Sequence, residues 1–163
     1  MKRNDAGTRA QPRTGASTGV RRELLLYVED DDDNWEVAEL RLSKNYDLIR
    51  AANDEQACNL LRERRGDIDV ILMDIELRGS QLNGIELTEL LRGNKLANRP
   101  ILPAYARDLP PVSKPIVYVT AHGARYTSGQ LLLSGADKVI FKPVNFPDLQ
   151  VALSELIQDR TAF

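Results

Sequence analysis

The chain holds one cysteine, one histidine and one tryptophan in 163 residues, and aromatic residues make up only 6% of it. A lone Cys58 leaves no partner for an internal disulfide and fits a reducing cytosol. It falls within a helical pattern, so it reads as a packing or surface thiol and not a nucleophile. No apolar run approaches the length of a membrane span. The basic N-terminus lacks the apolar stretch of a secretory signal. The segment Gly15-Ala16-Ser17-Thr18-Gly19 lacks the following lysine of a phosphate-binding loop, which excludes that motif.

What is present fits one soluble globular domain able to bury a core, with 42% apolar and 28% charged residues. The net charge of −2 conceals an asymmetry. Within residues 1–22, Lys2, Arg3, Arg9, Arg13, Arg21 and Arg22 face only Asp5, giving +5, so the remainder carries −7. An acidic body argues against nucleic acid as the main partner. Residues 1–21 are basic, rich in Gly, Ser and Thr, without periodicity, and read as a disordered tail.

From residue 23 onward, apolar runs alternate with helical patterns. The expected strands are Leu24–Val28, Tyr46–Ala51, Ile68–Met73, Ile116–Val119 and Val139–Phe141. Between them fall a helix near Asn34–Lys44 with Val37, Leu40 and Leu42 as apolar positions, and another from Asn53 to about Arg65, closed by Gly66. Asn83-Gly84 opens a third, Thr127–Ser134 is a short fourth with Gly135 as its cap, and Phe146–Gln158 is the last, with Leu149, Val151, Leu153, Leu156 and Ile157 inward. Five strand–helix units with both sheet faces covered imply an α/β, doubly wound parallel sheet. The Pro-rich segment at about 93–115 joins a helix to a strand. It therefore belongs at the N-terminal edge of the sheet, away from chemistry, as a surface insertion; Tyr105 and Leu109 offer the alternative of a docking surface.

Chemistry belongs at the opposite edge, where ligands bind in open α/β sheets. Five consecutive acids, Glu29-Asp30-Asp31-Asp32-Asp33, follow the first strand. Alone they fit a solvated helix start as well as a cation site. The other strand ends decide: Asp74, Thr120 and Lys142 occupy them in turn. A carboxylate nucleophile, a hydroxyl donor, a point positive charge and an acidic pair able to hold Mg²⁺ together suit phosphoryl transfer onto Asp74. Asp31, Asp32 and Asp33 are left as the start of the first helix.

The segments LLYVEDD (Leu25–Asp31), ILMDIEL (Ile71–Leu77), IVYVTAH (Ile116–His122) and GADKVIFKPV (Gly135–Val144) resemble response-regulator receiver domains of two-component signalling, over roughly residues 22–160. The resemblance implies a flavodoxin-like five-stranded sheet of order 2-1-3-4-5 flanked by five helices. It implies that Asp74 accepts phosphate from a histidine kinase or histidine phosphotransfer protein, the chain catalysing its own phosphorylation and dephosphorylation. Mg²⁺ would be held by Glu29, Asp30, Asp74 and the backbone carbonyl of Glu76. Lys142 would contact Asp74 or its phosphate ahead of a cis Lys142-Pro143 bond, and Thr120 would move toward the phosphate. The expectation is a cytoplasmic, single-domain regulator that signals through protein contacts, without direct nucleic acid or membrane binding. Its output, and any homodimer, would use the fourth helix, fifth strand and fifth helix. The alternative is a receiver-like binding module that does not switch by phosphorylation.

Two departures motivate that alternative. Receivers commonly carry Tyr or Phe three residues before the lysine, where this chain has Val139. Phe141 is expected on the opposite face of the strand, unable to replace it. The loop Ile75–Leu82 is longer than is usual and lacks its frequent proline. Neighbouring His122 and Glu76 are candidates to tune phosphate lifetime, and Trp35, if near the cleft, to report Mg²⁺ by fluorescence. A haloacid-type phosphatase would need an Asp-x-Asp in another setting, and the acidic run excludes a flavin phosphate loop.

Overall fold

A computed structural model describes residues 19–121 and 125–161. Its strands are β1 (Leu24–Val28), β2 (Asp47–Ala51), β3 (Val70–Met73), β4 (Ile116–Ala121) and β5 (Lys138–Lys142). Its helices are α1 (Asp32–Leu42), α2 (Asp54–Arg64), α3 (Gly84–Leu91), α4 (Ser128–Leu133) and α5 (Phe146–Thr161). The strands pair in parallel in the order β2-β1-β3-β4-β5, so the doubly wound sheet with order 2-1-3-4-5 is present.

Side-chain alternation builds two apolar layers from one sheet. Leu24, Leu26 and Val28 of β1 face α2, α3 and α4 through Ala57, Leu61, Leu87, Leu91 and Leu131. Leu25 and Tyr27 face α1 and α5 through Ala38, Leu42, Leu149 and Leu153. Helix starts follow the polar caps: Asp31 accepts from the N–H of Asn34, Asn53 from Gln56, and Asn83 forms a reciprocal capping box with Glu86.

Three expectations are corrected. On α1 the core-facing residues are Ala38 and Leu42, while Val37 is 48% and Leu40 72% exposed. Positions four apart share a helix face, and Val37 and Leu40 lie on a different one. On α5, Val151 faces solvent for the same reason.

The third correction concerns residues 93–115, which form no loose surface loop. The segment runs back along α3, where Arg99 pairs with Glu86. It then crosses to α2 through a 3-10 turn at Ala104–Ala106. There Arg62 donates to the carbonyls of Tyr105, Arg107 and Asp108. It returns to the sheet base where the N–H of Val112 bonds Leu91 O at 2.7 Å. Leu96, Ala106 and Val112 are buried in the α2/α3 layer. Tyr105 reaches the N-terminus of α2 and donates to Asp54, so the segment extends from the base of the sheet to its ligand-binding edge. Its apolar anchors have no helical or strand period, which is why sequence reading left it outside the core.

Residues 1–18 of the expected tail lie outside the described residues. Arg21, placed in that tail, is anchored to the domain, donating to Asp67 O at 3.1 Å and Asp69 Oδ1 at 2.8 Å.

Candidate functional site

Parallel strands end together, so the residues that follow β1 and β3 and those at the end of β4 come to one edge. Glu29, Asp30, Asp74 and Thr120 line a single open cleft there, with Glu76, Arg78, Arg125 and Phe141 on its walls. Glu29 is fully buried, and Asp74 and Thr120 are each 6% exposed.

One cation holds the buried carboxylates. Lys142 Nζ lies 2.8 Å from Glu29 Oε2 and 2.8 Å from Asp74 Oδ2. Burial tends to lower the lysine's pKa, but hydrogen bonds to Asp74 and Glu29 outweigh it and raise the pKa above its ordinary value. For Glu29 the balance reverses. Burial dominates and raises its carboxyl despite Lys142 and the N–H of Asp31. Tyr27 donates to Glu29 Oε2 at 3.0 Å, and burial followed by the Glu29 charge pushes its phenol well up. Asp74 Oδ1 accepts from the N–H of Ile75 at 2.7 Å. The Lys142-Pro143 bond is cis.

Glycine determines how the loop after β3 leaves the site. A Cβ at Gly84 would stand 2.0 Å from the carbonyl oxygen of Asp74, so the backbone of α3 packs directly against that of the site residue. The loop between them is tied down by Asp54. Its Oδ2 accepts from the N–H groups of Gln81 and Leu82, and its own N–H donates to Ser80 Oγ.

Asp30, only partly buried, has Oδ2 bound to Arg78 Nε at 2.8 Å and to the Arg78 N–H at 3.1 Å. Burial would raise its carboxyl, and the two Arg78 contacts outweigh that and hold it below the usual range. Asp31 caps α1 as expected, yet it also lines the cleft and accepts from Arg78 Nη2 at 3.2 Å. The division between two pocket carboxylates and a bystander cap is therefore not clean. Asp32 pairs with Arg50 at 2.7 Å, and Arg50 also donates to the carbonyls of Glu29 and Asp30. Arg50, Arg78 and Asp54 were missed in the sequence because their partners lie far along the chain.

Glu29, Asp30 and Asp74 each offer one carboxylate oxygen, all within 4.8 Å of one another. An all-oxygen donor set of this size suits a hard divalent cation. Glu76 is exposed on the cleft wall. Trp35 is half-buried and packs on Tyr27, its ring tilted at 55° with centroids 6.4 Å apart. His122 lies outside the described residues.

On β5, Val139 pairs in register with Tyr118 and Phe141 with Thr120. Val139 packs in the α2/α3/α4 layer and Phe141 lines the cleft beside Thr120 and Leu131, whereas Ile140 packs on the other side. Val139 and Phe141 thus share a face, contrary to expectation, because residues two apart in a strand point the same way. The buried aromatic beside Val139 is Tyr118, whose hydroxyl bonds Ser134 Oγ at 2.6 Å.

Comparison with known proteins agrees with this geometry. The family model of the response regulator receiver domain matches residues 25–154. The chain is 28% identical over 124 residues to the polar-differentiation response regulator DivK of Brucella anthropi, covering 76% of this chain and 86% of that protein. It is 26% identical over 140 residues to the uncharacterized transcriptional regulatory protein YrkP of Bacillus subtilis, covering 85% of this chain but 51% of that one. Among solved structures, the receiver domain of the Francisella response regulator 1452 superposes with a TM-score of 0.68 at 21% identity, over 85% of this chain and 99% of that one. The receiver domain of sensor histidine kinase PA1611 from Pseudomonas aeruginosa, solved with magnesium coordinated in its active-site cleft, gives 0.63 at 26% identity, over 85% of this chain and 99% of that one. With the fold, the strand-end residues and the family match in agreement, the chain belongs to the response regulator receiver domain family.

Proposed function

We propose that Asp74 is the phosphoacceptor of a receiver that takes its phosphoryl group from a histidine kinase or histidine phosphotransfer protein. One observation carries the reading: a buried carboxylate lies at the floor of an open cleft, bridged by Lys142 to a second carboxylate. A carboxylate oxygen of Asp74 forms a bond to phosphorus as the P–N bond of a phosphohistidine breaks, and the bond pair leaves with the imidazole nitrogen. Mg²⁺ held by Glu29, Asp30, Asp74 and the carbonyl of Glu76 would neutralise charge on the phosphoryl oxygens. Lys142 is placed to move its contact from the Asp74 carboxylate to a phosphoryl oxygen, and Thr120 to donate its hydroxyl to another. The same residues support self-catalysed hydrolysis of the acyl phosphate.

Two surfaces suit protein partners. An apolar groove between α1 and α5, lined by Val37, Ala38, Val144, Phe146 and Leu149, adjoins Lys142 and lies where a phosphodonor helix would approach. On the α4–β5–α5 side, Leu133 is 89% and Val151 59% exposed, suiting an output partner or a second copy. No described helix is long and apolar enough to cross a membrane. The complete set of strand-end residues favours switching over a binding module that does not use phosphate.

Transfer from a phosphorylated histidine kinase tests the assignment. Labelled phosphate should pass to the wild-type chain and not to Asp74→Asn; equal labelling of both would overturn it.

A further inference from the structure

Five acidic residues line the cleft; Glu76 is exposed on its wall, and of the other four, Glu29, Asp30, Asp31 and Asp74, Lys142 contacts Glu29 and Asp74. The other two face Arg78. Its Nε and backbone N–H both bind Asp30 Oδ2, and its Nη2 binds Asp31 Oδ2. Asp30 is also one of the three residues whose carboxylate oxygens converge within 4.8 Å. A guanidinium and a divalent cation are thus drawn to the same carboxylate. They repel one another, and a cation taking that oxygen must displace the Arg78 side chain.

Arg78 is held where this competition occurs. Leu77 and Leu82 are buried on either side of it, and Asp54 binds the N–H groups of Gln81 and Leu82. The loop backbone is fixed, whereas the Arg78 side chain is 77% exposed and free to swing into solvent at little cost. The outcome is a graded weakening of cation binding and not a block.

We propose that Arg78 is a resident counter-ion that competes with the divalent cation for Asp30 and so sets the Mg²⁺ concentration the site requires. This rests on the metal-assisted reading above. The test is calorimetric titration of MgCl₂ into the full chain, as wild type, Arg78→Gln and Arg78→Lys, alongside acetyl phosphate labelling of wild type. Arg78→Gln should tighten Mg²⁺ binding about two- to fivefold, the range of an exposed ion pair, while Arg78→Lys stays nearer to wild type. Unchanged or weaker binding in Arg78→Gln, with Asp74 still labelled in wild type, would overturn the role of Arg78 and leave the phosphoacceptor reading standing. Tighter binding in Arg78→Gln with no labelling would support Arg78 and contradict the phosphoacceptor reading. Absence of Mg²⁺ binding in all three proteins would overturn the proposal.

Discussion

Lys142 places one positive charge between two carboxylates that are almost completely removed from water, so its loss should be felt in stability as well as chemistry. Lys142→Ala should destabilise the fold by about 3 kcal/mol in urea unfolding at neutral pH, because it leaves buried charge unpaired. A change below about 0.5 kcal/mol would mean that the pair is solvated. Cys58 makes a second residue-scale prediction. Burial, with a smaller contribution from Asp54, pushes its thiol up to about 11. At pH 8 it is a protonated thiol, so a disulfide reagent should react slowly with the native protein and fully after denaturation. Among individual residues, Asp74, Thr120 and Lys142 were legible because each ends an apolar run. Arg78, Arg50 and Asp54 were not, since a charged residue is identified as a site member only by a partner that loop closure brings to it. The face of Phe141 was readable by counting two residues from Val139, and the expectation erred there.

At the scale of elements, the loop between β3 and α3 is fixed at two points. Gly84→Ala would drive a Cβ into the Asp74 carbonyl, and the backbone would have to shift. Overpacking of this kind costs about 1–3 kcal/mol, and here the movement falls on the site itself. The variant should therefore lose phosphorylation rate beyond what its stability explains, as measured by labelling kinetics well below its unfolding midpoint. Just before Gly84 in the same loop, Asp54→Ala would strand the N–H groups of Gln81 and Leu82, costing about 1–3 kcal/mol, whereas Tyr105→Phe removes a single hydrogen bond worth about 1 kcal/mol. Equal unfolding free energies for these two variants would contradict that accounting. Strand positions were legible to within two residues at each end, because the central strands, buried on both faces, write continuous apolar runs. The inward faces of α1 and α5 and the packing of residues 93–115 were harder. On α1 the inward face is carried by small Ala38 with Leu42 while Val37 and Leu40 point outward, and Leu96, Ala106 and Val112 are buried by tertiary contacts that leave no period.

For the whole molecule, the parallel doubly wound sheet followed from the alternation of strands and helices and its strand order from the family resemblance, and both agree with the structure. The assembled cleft, unlike any single residue, should bind a divalent cation only in the folded state. Mg²⁺ at ten times its dissociation constant should then add about 1.4 kcal/mol of stability, an increment absent in Asp30→Asn. The central claim is that this fold delivers one phosphoryl group to one carboxylate. Intact-mass measurement after incubation with acetyl phosphate and Mg²⁺ tests it most directly. The account predicts a single added phosphate on the wild-type chain, none on Asp74→Asn and none in the presence of a chelator. An unmodified wild-type chain, or phosphate retained by Asp74→Asn, would contradict it.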